Sequence, residues 1–196
     1  MRLIALIAAA LLSLAGCDST STPQLPAKGV PQLPPLAAKA QELALREIGL
    51  RQHLAAHPDD TNARLALANL YYDMDRPHRA VPLYLAVLRE RPEDLSARTD
   101  LGTCYKEMGH LGQARIEYER VLQKHAGHVQ ATYNLAVVNE LTGDRAKAAE
   151  LWERVATLAP GTEIAKTAAA HAAAARRPDP ETATKAANPE EKEPGK

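Results

Sequence analysis

Phenylalanine is absent from the 196 residues, tryptophan occurs once, and aromatic residues make up only 4%. That is too little bulk to fill the facing layers of a large β-sandwich but enough for paired helices of Leu and Ala, so the chain is expected to be all-α. No charge of one sign dominates, since Lys plus Arg and Asp plus Glu both total 24. Without a basic excess nothing drives nucleic-acid binding by counterion release, and no nucleic-acid partner is expected. Cysteine is limited to Cys17 and Cys104, which excludes a disulfide framework unless the two pair. The strings GxSxG, HExxH, CxxC and a P-loop do not occur, so no catalytic residue, metal site or cofactor is expected. His53 with His57, and His125 with His128, are spaced so that two imidazoles could reach one metal. Both pairs fall at helix ends or turns without a third ligand, which makes them surface or capping histidines and leaves a metal-dependent enzyme disfavoured.

What is present is ordinary globular composition, 45% hydrophobic and 24% charged, consistent with one compact body with flexible ends. The longest uncharged apolar run, Leu3 to Leu12, follows Arg2 and precedes Leu14-Ala15-Gly16-Cys17. It is too short to span a bilayer, which takes about 20 residues, and reads as a secretory signal over 1–16. LAGC resembles the bacterial lipobox, which implies acylation of Cys17 as the mature N-terminus, a membrane anchor on the bacterial cell envelope, and a body facing the periplasm. Asp18 resembles an inner-membrane retention signal and favours the inner over the outer membrane. Residues 17–35 hold Pro23, Pro26, Pro31, Pro34 and Pro35 among Ser and Thr, a tether that in polyproline II form reaches about 55 Å at ~3.1 Å per residue.

Beyond the tether a 34-residue period appears. Leu67-Ala68, Leu101-Gly102 and Leu135-Ala136 recur at that interval, as do Ala80, Ala114 and Ala148, then Tyr84, Tyr118 and Trp152, and Val87, Val121 and Val155. Leu67 and Tyr71, or Leu101 and Tyr105, lie one helical turn apart on one face, and the small residue beside each Leu admits a second helix. Ala80, Tyr84 and Val87 form the answering stripe. Asp75-Arg76, Gly109-His110 and Gly143-Asp144 occupy the turn between paired helices, where a residue tolerant of positive φ is needed.

These positions resemble the tetratricopeptide repeat (TPR) family, whose unit is two antiparallel helices. The resemblance implies a right-handed TPR helical solenoid with repeats at 61–94, 95–128 and 129–162. An N-terminal capping helix at 36–60 carries Leu43, Leu50 and Leu54. A C-terminal capping helix at 163–177 is capped by Thr162, and a Pro-, Glu- and Lys-rich tail at 178–196 is expected to be disordered. The family's Trp is replaced by Arg64, Arg98 and Thr132, its Tyr by Asn139, and its closing Pro by Ala126. Pro82 should kink the second helix of the first repeat or delay its start to near Ala80. Cys104 is expected to be a buried, inert thiol.

The resemblance further implies a concave groove lined by the first helices, able to take a protein or peptide segment. Mapped here, the lining comprises Asn62, Leu65, Asn69, Tyr72 and Asp73, then Thr99, Asp100, Thr103 and Lys106, then Gln130, Tyr133, Asn134 and Val137. Asn69 and Asn134 are expected to pair with peptide backbone, and Leu65, Tyr72, Tyr133 and Val137 to offer apolar anchors. The basic clamp of chaperone-tail receptors is missing, since Leu65, Asp100, Gln130 and Asn134 stand at the comparable places. The expected role is that of an adaptor or scaffold in envelope assembly, pilotin-like for type IV pilus or secretin assembly. Presentation of apocytochrome during cytochrome c maturation is the alternative.

Overall fold

The structure, a computed structural model, describes residues 35–177. The signal, Cys17, nearly all of the tether and the tail from 178 lie outside the described residues. Among the described residues eight helices follow one another: α1 (Pro35–Ala56), α2 (Thr61–Asp73), α3 (Pro77–Glu90), α4 (Leu95–Glu107), α5 (Leu111–Lys124), α6 (Val129–Leu141), α7 (Arg145–Leu158) and α8 (Glu163–Ala175). Each packs on the next, so the chain stacks as a right-handed solenoid of helix pairs. No described helix is long and apolar enough to cross a membrane.

The regularity begins with capping. Helices α2, α4, α6 and α8 start 34 residues apart. Each start is fixed by a side chain that accepts a hydrogen bond from the backbone N–H three residues on: Asp60 from Ala63 (3.0 Å), Asp94 from Ala97 (2.9 Å), His128 from Ala131 (3.1 Å) and Thr162 from Ala165 (3.2 Å). At the other end of α2, α4 and α6 the same Schellman turn repeats. The N–H of Arg76, His110 and Asp144 donates to Tyr71, Tyr105 and Asn139, and that of Asp75, Gly109 and Gly143 to Tyr72, Lys106 and Glu140. Asp75, Gly109 and Gly143 hold φ of 55°, 76° and 80°, the left-handed conformation expected there.

Packing follows the same period. Ala68, Ala80, Val87, Ala114, Val121, Ala136, Ala148 and Val155 are all fully buried, and Tyr84, Tyr118 and Trp152 are the largest buried side chains. Gly102 takes the position of Ala68 and Ala136 for a steric reason, since a Cβ there would lie 2.7 Å from Cε1 of Tyr118. The aromatic tips reach back to the preceding first helix. Tyr84 Oη donates to Asn69 Oδ1 (2.8 Å), Tyr118 Oη to Thr103 Oγ1 (3.1 Å) and Trp152 Nε1 to Glu140 Oε1 (2.8 Å).

Arg64 and Arg98, standing at the family's Trp position, act as latches. Arg64 pairs with Glu90 (2.6 Å) and donates to the Pro58 carbonyl, while Arg98 pairs with Glu117 (2.9 Å) and donates to the Pro92 carbonyl. Asn139, at the family's Tyr position, is buried and donates to the Leu135 carbonyl (2.7 Å). Pro82 does not delay its helix: α3 begins at Pro77, a residue preset for the first turn. Pro82 lies on the exposed side, so the His78 carbonyl it leaves free sits where water can reach it.

The ends are tied by polar contacts. Buried Glu47 of α1 accepts from Tyr71 (3.1 Å) and pairs with Arg76 and Arg79. Helix α8 buries Ala168 and Ala172 against Trp152, and Arg145 donates to the carbonyls of Ala174, Ala175 and Arg177 at its C-terminus.

Candidate functional site: a groove across the first helices

Helices α2, α4 and α6 meet side by side along one face, bridged by two polar contacts from one repeat to the next. Tyr72 Oη donates to Glu107 Oε1 (3.0 Å), and Lys106 Nζ to Asn134 Oδ1 (3.2 Å). Helix α8 continues the row, with His171 Nδ1 3.1 Å from Glu140 Oε1 and its ring stacked on Trp152 at 4.7 Å.

The thirteen residues assigned to the lining fall into three groups. Asn62, Asn69, Asp73 and Gln130 are exposed. Asn69 has its Oδ1 committed to Tyr84, which orients the amide. Leu65, Tyr72, Asp100, Lys106, Tyr133 and Val137 are half-buried. Of these, Leu65 and Tyr72 rest on the first core cluster, Val137 on the third, and Tyr133 packs edge-on to Trp152 at 4.8 Å.

Thr99, Thr103 and Asn134 are buried. The two threonine hydroxyls turn inward, Thr99 donating to the Leu95 carbonyl (2.7 Å) and Thr103 to the Thr99 carbonyl (3.0 Å). Both therefore act as packing residues with little surface to offer a ligand. Asn134 accepts from Lys106, yet its Nδ2 has no hydrogen-bond partner.

Electrostatics single out Asp100. Burial, followed by the charges of Asp94 and Asp73, pushes its carboxyl up to about 6. Burial and the hydrogen bond to Glu107 raise the Tyr72 phenol to about 12, and burial pushes the Cys104 thiol up to about 12. Cys104 is fully buried and stays a protonated, inert thiol at neutral pH.

At the α6–α8 end the groove opens into a cleft of about 690 Å3 lined by His125, Gly127, His128, Val129, Gln130, Tyr133, Glu163, Ile164 and Thr167. Sequence mapping stopped at the third repeat and missed the α8 side of this cleft. The signal was the period itself, because Glu163 stands 34 residues after Val129 and Thr162 after His128. The exposed Ile164 (47%) presents an apolar side chain there. His128 spends Nδ1 on capping α6, and His53 Nε2 bonds Asp60 Oδ2 at 2.8 Å. Among the described residues no three His, Cys, Asp or Glu converge as metal ligands.

A stack of helix pairs with an open groove and a cleft at one end defines a helical-repeat interaction domain. The tetratricopeptide repeat family model matches residues 65–105 and 100–163, and the chain belongs to that family. Among solved structures it is similar to YrrB, a TPR protein with an unusual peptide-binding site, at 21% identity and a TM-score of 0.61 over 68% of this chain and 69% of that one. MamA is similar at 18% identity and a TM-score of 0.60, covering 78% of this chain and 95% of that one. The first TPR of Spaghetti (RPAP3) bound to the HSP90 peptide SRMEEVD matches at 15% identity and a TM-score of 0.55, covering 59% and 91%. At these identities the likeness is one of fold. A search of curated protein sequences gives no match.

Proposed function

We propose that this protein is an envelope adaptor, held to the membrane through acylated Cys17 and facing the periplasm, whose groove captures a segment of a partner protein during assembly of a secretin or type IV pilus. The observation that carries the binding half of this reading is the 690 Å3 cleft. Its volume lies within the ~300–1,000 Å3 usual for ligand sites, and apolar walls with a few polar groups match their usual make-up. Similar folds named for a peptide-binding site or seen with a bound peptide support a peptide ligand. The anchoring half rests on the LAGC sequence at Cys17 and the short apolar run before it. Two acyl signals are needed for stable attachment, since a single chain holds only marginally.

Replacing Cys17 with Ser tests the anchor. The variant should leave the membrane fraction and lose acyl labelling, and continued labelling would overturn the lipoprotein reading. For the pathway, cells carrying Ile164→Asp together with Tyr72→Ala should fail to assemble a secretin while c-type cytochromes still stain for haem. The reverse pattern would point to cytochrome maturation instead.

A further inference from the structure

Two groups on the groove floor are left without partners, and they occupy matching places. Asp100 and Asn134 stand 34 residues apart, each the sixth residue of its helix, α4 and α6. Asn134 is 4% exposed, and the bond it accepts from Lys106 fixes which way its amide points, so Nδ2 is a buried donor with nothing to give its hydrogens to. A buried donor left so carries the cost of its lost hydration with no bond to offset it. Asp100 is half-buried, and among the described residues it accepts no hydrogen bond and pairs with no Lys, Arg or His. The charges around it are Asp73 of α2 and Asp94, the cap of α4, with the phenols of Tyr72 and Tyr84 and the thiol of Cys104 beside it. The nearby cation on the same helix, Lys106, is committed to Asn134 across the groove. The floor thus offers one unmet donor and, one repeat away, one unmet carboxylate flanked by another.

We propose that the groove recognises a basic peptide segment, with a Lys or Arg side chain seated against Asp100 and Asp73 and a main-chain carbonyl accepting from Asn134 Nδ2. This deepens the adaptor reading, on which it rests, by fixing the charge of the ligand. A cation at Asp100 supplies the missing counter-charge, and the carbonyl satisfies the orphan donor, so each group that destabilises the free protein gains its partner on binding. Hydrogen bonds to charged groups are the stronger kind and set specificity as well as affinity. An acidic segment would instead meet Asp73, Asp100 and Glu107 in turn.

The test selects binders to the full chain from a random displayed peptide library, then compares a selected peptide with an analogue whose basic residue is norleucine, on the wild type, Asp100→Asn and Asn134→Ala. Asp100→Asn is near-isosteric and removes an unpaired charge, so it should fold. Selected peptides should be enriched in Lys or Arg. Asp100→Asn should weaken the basic peptide about tenfold or more, as expected for a charged hydrogen bond, while leaving the norleucine analogue unchanged. Asn134→Ala should weaken both alike. Selection of acidic or neutral peptides, or equal weakening of both peptides by Asp100→Asn, would overturn the charge assignment while leaving peptide capture standing. Equal binding by Asn134→Ala and wild type would overturn the carbonyl contact. Recovery of no peptide at all would sink the adaptor reading along with this one.

Discussion

A half-buried carboxylate beside two others destabilises a fold wherever it is ionised, and Asp100 is in that position. Its folded value of about 6 lies above the 3.8 of an ordinary Asp. The sign follows directly: below about pH 4 the group is protonated in folded and unfolded chains alike, whereas above 6 the folded chain carries an ionised group it disfavours. Stability is therefore lost as pH rises between those values. Asp100→Asn should match the wild type in urea melts near pH 4 and exceed it by about 1–2 kcal/mol at pH 7, the full ~3 kcal/mol being reduced by solvent screening. Equal stability at both pH values would contradict this account. Asp75 offers a second test. It alone of the three matching turn residues is not glycine, yet it holds φ 55°. Asp75→Gly should raise the urea midpoint by an amount worth about 0.5–1 kcal/mol, since glycine adopts that conformation without steric cost.

At the scale of elements, helix separation within each repeat is set where a small residue meets an aromatic ring. Tyr118 is fully buried and its ring cannot swing away, so a methyl group at Gly102 would press on it from 2.7 Å. Gly102→Ala gains about 1 kcal/mol of helix propensity but should lose more to overpacking, for a net destabilisation of about 1–2 kcal/mol in chemical melts. A stabilised variant would show that α4 and α5 can part without cost. The pairing itself was legible in the sequence, because Leu67-Ala68, Leu101-Gly102 and Leu135-Ala136 mark the close approach and Tyr84, Tyr118 and Trp152 mark what fills it. Asp60, Asp94 and His128 were less legible as caps, since an Asp or His in a polar stretch declares nothing until the helix start is known. Pro82 signalled a later start for α3, but Pro77 opens the helix, and the side on which Pro82 falls is decided only by packing.

Over the whole molecule, each helix touches little beyond its neighbours, so stability should be distributed along the stack rather than shared globally. Helix α8 covers Trp152 and is held by Arg145 at its far end. A chain ending at Thr162 should show faster amide hydrogen exchange in α6 and α7 while α2 and α3 stay protected, whereas uniform loss of protection would contradict a repeat-by-repeat architecture. The groove was partly readable at this scale. The period assigns its candidate residues to α2, α4 and α6, but which way each side chain turns depends on its bonding, which turned Thr99 and Thr103 inward. The cleft needed α8, which the sequence marks only as a cap on the third repeat.

Peptide capture in that groove is the central claim, and photo-crosslinking in living cells tests it most directly. A photoreactive residue placed at Asn62 or Gln130 on the groove, or at the exposed Ile116 of α5 as a control, reports which face touches a partner. The same partner adduct is expected at Asn62 and Gln130, and none at Ile116. Adducts at Ile116 alone, or equally at all three positions, would contradict that claim.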